Sequence, residues 1–361
     1  MSIAATALQE RIGIDLPIIQ SPMAGVQGSA LAIAVSNAGG LGSLPCALLG
    51  IDAMRTELEA IRAATARPFS VNFFCHAQPA LDAVREAAWR QSLSDYYREF
   101  GIDPNEIPQG QGRRPFDAAA ADALAEFAPP VLSFHFGLPS AELLARVRGW
   151  QPIVMASATT VDEARWLQDH GVDIIIAQGV EAGGHRGMFL SNDVSTQIGT
   201  FALVPQIVRV VKLPVVAAGG IADARGVAAA LALGAAGVQV GTAYLLCPEA
   251  TTSAVHRAAL QRESARNTAL TNLFTGRPAR GIVNRLMRER GPMSVAAPEF
   301  PLAGAALAPI RAKAEAAGNG DFSALWCGAN ASGCAEIPAA QLTRALLAHV
   351  PGYVDLPTEA G

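Results

Sequence analysis

From residue 17 to about residue 247, short apolar runs alternate with amphipathic helical patterns, the pattern of parallel strands covered by helices on their outer faces. Eight runs read as strands: Pro17–Ser21, Gly40–Ser43, Phe69–Phe74, Pro130–Phe134, Pro152–Ala156, Asp173–Gln178, Pro214–Ala218 and Gly237–Val240. Most open on proline or glycine, which end the preceding helix and allow a sharp reversal. The intervening patterns carry helix signals of their own. Val161–His170 follows Thr160 and stops before Gly171, and Asp223–Leu233 follows Ala222 and stops before Gly234, so both have a capping candidate at the start and a glycine at the end. An uninterrupted series of eight βα units predicts an α/β fold, a (β/α)8 TIM barrel rather than a doubly wound sheet, in one domain spanning 1–361. Two segments exceed the repeat. Residues 76–128, roughly, are predicted to be a helical insertion after the third strand, and residues 248–361, roughly, a C-terminal helical extension with a helix around Pro309–Ala317. Together they are expected to form a small lid or substrate subdomain.

Composition narrows the function. Of 361 residues, 51% are hydrophobic and 16% charged, which excludes a disordered chain. With 27 basic and 31 acidic residues there is no cationic excess to neutralise a phosphate backbone, so no nucleic-acid partner is expected. Cys46, Cys75, Cys247, Cys327 and Cys334 form no C-x-x-C pair, so neither a disulfide framework nor a metal site is expected. The apolar stretch Leu213–Leu246 is broken by Gly219, Gly220, Asp223, Arg225 and Gly234, unlike a bilayer span. The expectation is a reduced, cytoplasmic monomer or homodimer that acts on small molecules, without a membrane partner.

In a barrel, chemistry gathers where the strands end at the carboxyl face. The last two strands run into Ala218-Gly219-Gly220-Ile221 and Gln239-Val240-Gly241-Thr242. Glycines there let backbone N–H groups approach an anion at a helix start, as phosphate sites require. The sixth strand ends at Gln178 and runs into Gly179-Val180-Glu181-Ala182-Gly183-Gly184-His185-Arg186-Gly187. This loop can bend close to a planar ligand while His185 projects over it to exchange a proton or hold negative charge. Glu181 and Arg186 are read as supports of the loop. Asn72 offers a donor and an acceptor at the end of the third strand, and His135 ends the fourth beside aromatic residues. Cys75 reads as a small buried residue, His170 as a helix C-cap, and His256 and His349 as solvated. Arg277–Arg290 reads as a basic patch.

These residues resemble a known family. Pro22-Met23-Ala24-Gly25, Glu181 to Gly187, Ala218 to Ile221, Gln239 to Thr242 and Thr275-Gly276-Arg277-Pro278-Ala279-Arg280-Gly281 are similar to the nitronate monooxygenases, over about residues 10–345. The resemblance implies a TIM barrel that binds FMN noncovalently, without metal, and oxidises alkyl nitronates or nitroalkanes with O2 to carbonyl compounds and nitrite. It places Asn72, Gln178, Gly183, Gly184, Gly219, Gly220, Gln239, Val240, Gly241 and Thr242 at the FMN. Met23, Ala24 and Gly25 would line the flavin, with His185 as the active-site histidine. His135, Phe300 and Lys313 would border the substrate, Phe300 standing where the family's tyrosine is expected. Flavin-dependent enoyl reductases share the glycine–histidine loop, so NAD(P)H-dependent reduction of enoyl thioesters or quinones is the alternative. A flavin-free isomerase or lyase that holds a sugar phosphate on the same glycines is a third.

Overall fold

A computed structural model describes residues 3–107, 113–348 and 350–353. Eight parallel strands build the central sheet: β1 (Ile18–Gln20), β2 (Gly42–Pro45), β3 (Phe69–Phe74), β4 (Val131–His135), β5 (Ile153–Ala158), β6 (Ile174–Gln178), β8 (Val215–Ala218) and β9 (Gly237–Val240). Their order is β1-β9-β8-β6-β5-β4-β3-β2, and a parallel bridge from Ile19 to Leu41 links its two ends. The result is a (β/α)8 barrel. Each expected strand is present within two residues of its bounds, the second running on to Pro45. A second, antiparallel sheet joins β10 (Thr268–Thr271), β11 (Ala279–Ile282) and the two-residue β7 (Gly184–His185).

Closure divides each strand into two faces, because successive side chains point to opposite sides. On β6, Ile175 and Ala177 belong to the core between sheet and helices, whereas Ile174 and Ile176 fill the barrel interior; on β8, Val215 and Ala217 face out and Val216 and Ala218 in. Carried to the carboxyl ends, the inward register reaches Phe74, His135, Ser157, Gln178 and Gln239. These positions open into the barrel mouth. Helices cover the outer face, and their ends follow local rules. Val161–Asp169 starts at Thr160, whose hydroxyl accepts from Glu163 N, and Ala224–Ala232 starts at Asp223, whose carboxylate accepts from Gly226 N. His170 ends the first of these, stacked on Trp166 at 3.7 Å with Nδ1 donating to Trp166 O.

Between β3 and β4 lie the helices Ala83–Ser92, Ser94–Glu99 and Ala118–Phe127. The last packs on the barrel. The first two bury Trp89, Tyr96 and Tyr97 in a satellite core with Leu307, Ile310 and Phe322 of the C-terminal region. Trp89 Nε1 donates to Ala303 O and Tyr97 OH to Ala306 O, both on the long helix Gly304–Ala316 or next to it. That helix contains Pro309 and starts earlier than the sequence pattern indicated. The run Arg277–Arg290 is not a basic patch: Arg277 lies over the Phe136 ring, Arg280 donates to Val180 O, and Arg285 pairs with Glu99 and Glu289. His349 and the end of the extension beyond Tyr353 lie outside the described residues, as do 108–112 of the expected insertion.

A close contact between layers is at Gly42 of β2, where an added Cβ would clash with Ala32 O of the helix Ser29–Asn37. Neither backbone can yield without shifting an element. Gly42→Ala is expected to destabilise the fold by about 3 kcal/mol, the upper end for overpacking, read as a lower midpoint in urea unfolding with an unchanged slope.

Candidate active site

One cavity occupies the carboxyl end of the barrel. It is bordered by the segments that follow β1, β8 and β9, by the inward residues of β3 to β6, and by the loop Glu181–His185. The C-terminal segment closes its side with Trp326, Gly328 and Asn330.

His185 is set at its wall by a short sheet. β7 pairs with β11, so that His185 faces Ala279, and the main chain of the loop is fixed from the barrel side. Gln178 Nε2 and His135 Nε2 both donate to His185 O, at 3.0 and 3.1 Å, while Gln178 Oε1 accepts from Gly187 N at 2.8 Å. Since His135 Nε2 carries its proton toward a carbonyl, its Nδ1 accepts from Ser157 Oγ at 3.0 Å. In the neutral ring these contacts fix the Nε2–H tautomer. The His185 ring makes a 3.0 Å contact from Nε2 to Thr275 Oγ1 and packs against Phe300, Trp326 and Phe74 at centroid distances of 5.3, 5.5 and 6.0 Å.

Electrostatics keep this imidazole neutral. Burial lowers the His185 pKa well below its ordinary value, and Arg113, His135, Arg277 and His76 push the same way. His135 is brought down to about 3, chiefly by burial. Two further groups hold the loop. Arg186 is fully buried and donates to Gly179 O, Gln178 O and Gln197 Oε1. Glu181 accepts from Thr200 N and Thr200 Oγ1. Both act as supports, in keeping with their sequence positions.

Behind the loop, Glu163 is a buried carboxylate that sequence reading passed over. It accepts from Thr159 N, Thr159 Oγ1, Phe189 N and Leu190 N, and so ties the helix Val161–Asp169 to the chain just past His185. The signal was present: Thr160 and Glu163 have the spacing of a capping box, with the carboxylate here turned to the neighbouring loop.

The glycine loops border the same cavity as His185. Gly219 and Gly220 hold φ of +114° and +75°, a region that favours glycine, and both border the cavity beside Gly241 and Thr242. Thr242 Oγ1 accepts from Gly328 N at 2.9 Å, and Asn330 Nδ2 donates to Gly220 O at 3.2 Å, so the C-terminal segment is laced to both loops. Gln239 Nε2 reaches only Ser21 Oγ at 3.4 Å, and its buried Oε1 has no partner among the described residues. Asn72 Nδ2 donates to Ser133 O and Oγ.

The expected site residues divide accordingly. Met23, Ala24, Asn72, His135, Gln178, Gly183, Gly184, His185, Gly219, Gly220, Gln239, Gly241 and Thr242 surround the one cavity. Val240 does not, because its side chain falls on the outward face of β9 and enters the helix–sheet core. Gly25 shapes the turn after β1 with φ +87° without bordering the cavity. Phe300 packs on His185 and also stays off the cavity surface. Lys313 is displaced altogether: its Nζ caps the carbonyls of Phe100 and Gly101 at 2.7 and 3.1 Å in an exposed position. His256 is buried, not solvated. Its Nε2 donates to Trp326 O at 3.1 Å, the ring borders the cavity, and burial lowers its pKa to about 4. Ser157, Arg113, Trp326, Gly328 and Asn330 were not foreseen; Ser157 alone had a signal, as an inward residue at the end of β5.

The chain is similar to known proteins over nearly its whole length. A family model described as nitronate monooxygenase matches residues 5–349. A nitronate monooxygenase of Pseudomonas aeruginosa is 42% identical over 94% of this chain and 98% of its own, and one of Paraburkholderia phytofirmans 41% identical over 94% and 93%. Among solved structures, nitroalkane oxidase from Streptomyces ansochromogenes superposes with TM-score 0.86 at 39% identity, covering 94% of this chain and 96% of that one. FabK from Thermotoga maritima superposes with TM-score 0.69 at 28% identity, covering 94% of each. These matches extend over nearly the full length of the chain, and the chain belongs to the nitronate monooxygenase family.

Proposed function

We propose that this oxidoreductase binds FMN in the barrel mouth and oxidises alkyl nitronates with O2 to carbonyl compounds and nitrite, as a cytoplasmic enzyme. The observation that carries the reading is that a buried, neutral His185, held through its own main chain, borders one cavity with the glycine loops after β8 and β9. The residues suit the cofactor. Positive φ at Gly219 and Gly220, with Gly241 and Thr242 beside them, provides backbone for a phosphate. The orphaned Gln239 Oε1 needs a donor, which an imide N–H or a ribityl hydroxyl has. Asn72, Met23 and Ala24 supply polar and apolar edges to a planar ring system. When bound, FMN accepts the electrons that leave the substrate.

The chain's own residues orient and isolate. His185, neutral and fixed, hydrogen-bonds the oxygens of a nitronate. Phe74, Phe300 and Trp326 around its ring keep water away from it. His135 and Gln178 are positioning residues, since their polar atoms are spent on the 185–187 main chain and on Ser157. The similarity to FabK favours one second reading, reduction of an enoyl thioester at the expense of NAD(P)H. Anaerobic addition of NADH separates the two: rapid bleaching of the flavin by NADH with no response to nitronate supports the reductase.

His185→Ala is expected to keep its flavin while kcat/KM for an alkyl nitronate falls about 100-fold or more, the scale of a lost preorganised hydrogen-bond donor. Retained turnover with retained flavin would remove His185 from the reaction. The buried imidazoles also fix the response to acid. His135, His185 and His256 all have pKa values lowered from 6.5 in the folded chain, so below about pH 6.5 the unfolded chain takes up protons that the folded one does not. Stability is therefore full above that pH and is expected to decline as the pH falls toward 4. Melting temperatures measured across that range that stay level would contradict the neutral assignment.

A further inference from the structure

The cavity contains an imbalance of charge that the assignment above leaves unused. Glu181 is the one carboxylate on its border among the described residues, and it is already engaged by Thr200. The charged side chains that act on His185 are cations. Of these, Arg277 is held off the cavity border, lying 4.0 Å over the Phe136 ring and donating to Met188 O, with its buried Nε unpartnered among the described residues. Arg113 is not.

Arg113 borders the cavity, and its backbone is pinned. Its carbonyl accepts from His76 Nε2 at 3.1 Å and from Gln78 Nε2 at 2.8 Å. Its guanidinium lies 5.9 Å from the Phe74 ring centroid and 5.7 Å from that of Phe300, the two rings that also flank His185. No carboxylate or carbonyl among the described residues accepts a hydrogen bond from it. Burial, with Arg311 nearby, brings its pKa down to about 10, so it remains a cation at neutral pH. A half-buried guanidinium on the cavity border, with no anion among the described residues, is available to a negatively charged ligand. Two side chains spent on holding its main chain in place indicate that the position is built.

We propose that Arg113 recognises the negative charge of the substrate, so that this site selects a preformed nitronate anion over the neutral nitroalkane. The inference rests on the nitronate reading above and adds to it the residue that makes the selection. A guanidinium presents paired N–H donors in one plane, which matches the two coplanar oxygens of a nitronate. A neutral nitroalkane forfeits the charge-assisted part of that contact. Arg113 and His185 thus divide the work: the arginine meets the charge, and the imidazole meets the reacting group without adding a charge of its own.

The test uses the full-length protein as purified with its flavin, as wild type, Arg113→Lys and Arg113→Met. With a primary alkyl nitronate, Arg113→Met is expected to raise KM at least tenfold with kcat within threefold, and Arg113→Lys to recover most of the loss. Isothermal titration with nitrate, a planar anion with similar oxygens, gives a readout independent of turnover; its affinity is expected to fall at least tenfold in Arg113→Met. If the wild type oxidises nitronates and the three proteins share one KM, the proposal for Arg113 is overturned while the proposed function stands. If the wild type does not oxidise nitronates but nitrate binding collapses in Arg113→Met, the function is refuted and the anion site survives. Equal nitrate affinity, or none, in all three proteins together with an unchanged KM also overturns the proposal.

Discussion

The structure depends on the two-residue period of strands closed into a ring. Because the sheet returns on itself through the Ile19–Leu41 bridge, inside and outside are fixed for every strand at once, and one residue of slip would exchange them. The alternation that sends Ile175 and Ala177 to the helices and Ile174 and Ile176 to the interior also delivers Gln178 to the mouth. The same count places Asn72 and Phe74, Ser133 and His135, and Ser157 on the cavity. The polar site is the last layer of the barrel's own packing, with polar residues where the interior meets the ligand space.

Placement of this kind explains how neutral histidines persist among arginines. A protonated His185 would sit in low dielectric beside Arg113 and Arg277, and both burial and repulsion oppose that state. The protein therefore obtains a hydrogen-bonding ring that does not charge near neutrality, and it confines permanent positive charge to guanidinium groups. Arg186 shows how such a charge is kept inside without a carboxylate: two carbonyls and an amide oxygen accept from it, so the cation organises the very loop that carries His185. Glu163 performs the complementary task on the far side of that loop with four donors. The loop is held between a satisfied cation and a satisfied anion.

The barrel was legible in the sequence because its signals are local. Strand bounds, the Thr160 and Asp223 caps and the glycine loops each follow from a few neighbouring residues. The cavity was legible wherever a motif lay directly after a strand, as with His185, Gly219–Gly220 and Gly241–Thr242. What sequence could not supply is contact across long separations. His256 reads as an ordinary helix-surface residue until the Trp326 carbonyl, 70 positions away, is found over its ring nitrogen. Lys313 was drawn to the pocket by resemblance, yet the helix Gly304–Ala316 turns it toward Phe100 and Gly101, where its ammonium caps two carbonyls. Val240 sits in the right motif but in the wrong register, one residue from Gln239 and hence on the opposite face.

Phe300 shows how a local change is absorbed by its surroundings. The resemblance leads one to expect a phenolic hydroxyl there, and a buried hydroxyl would need a partner. Phe300 instead completes an apolar group with Phe74 and Phe136, 6.1 and 5.4 Å from their centroids, against the His185 and His76 rings. With no hydroxyl to share the polar work, recognition of an anion falls to what remains at the edge of that group, and the residue there is Arg113, whose guanidinium rests over Phe300 itself. The loss of one neutral donor and the presence of one unpaired cation are thus two aspects of the same wall. Its aromatic faces favour the cation, and with no competing acid among the described residues that cation is available to a ligand.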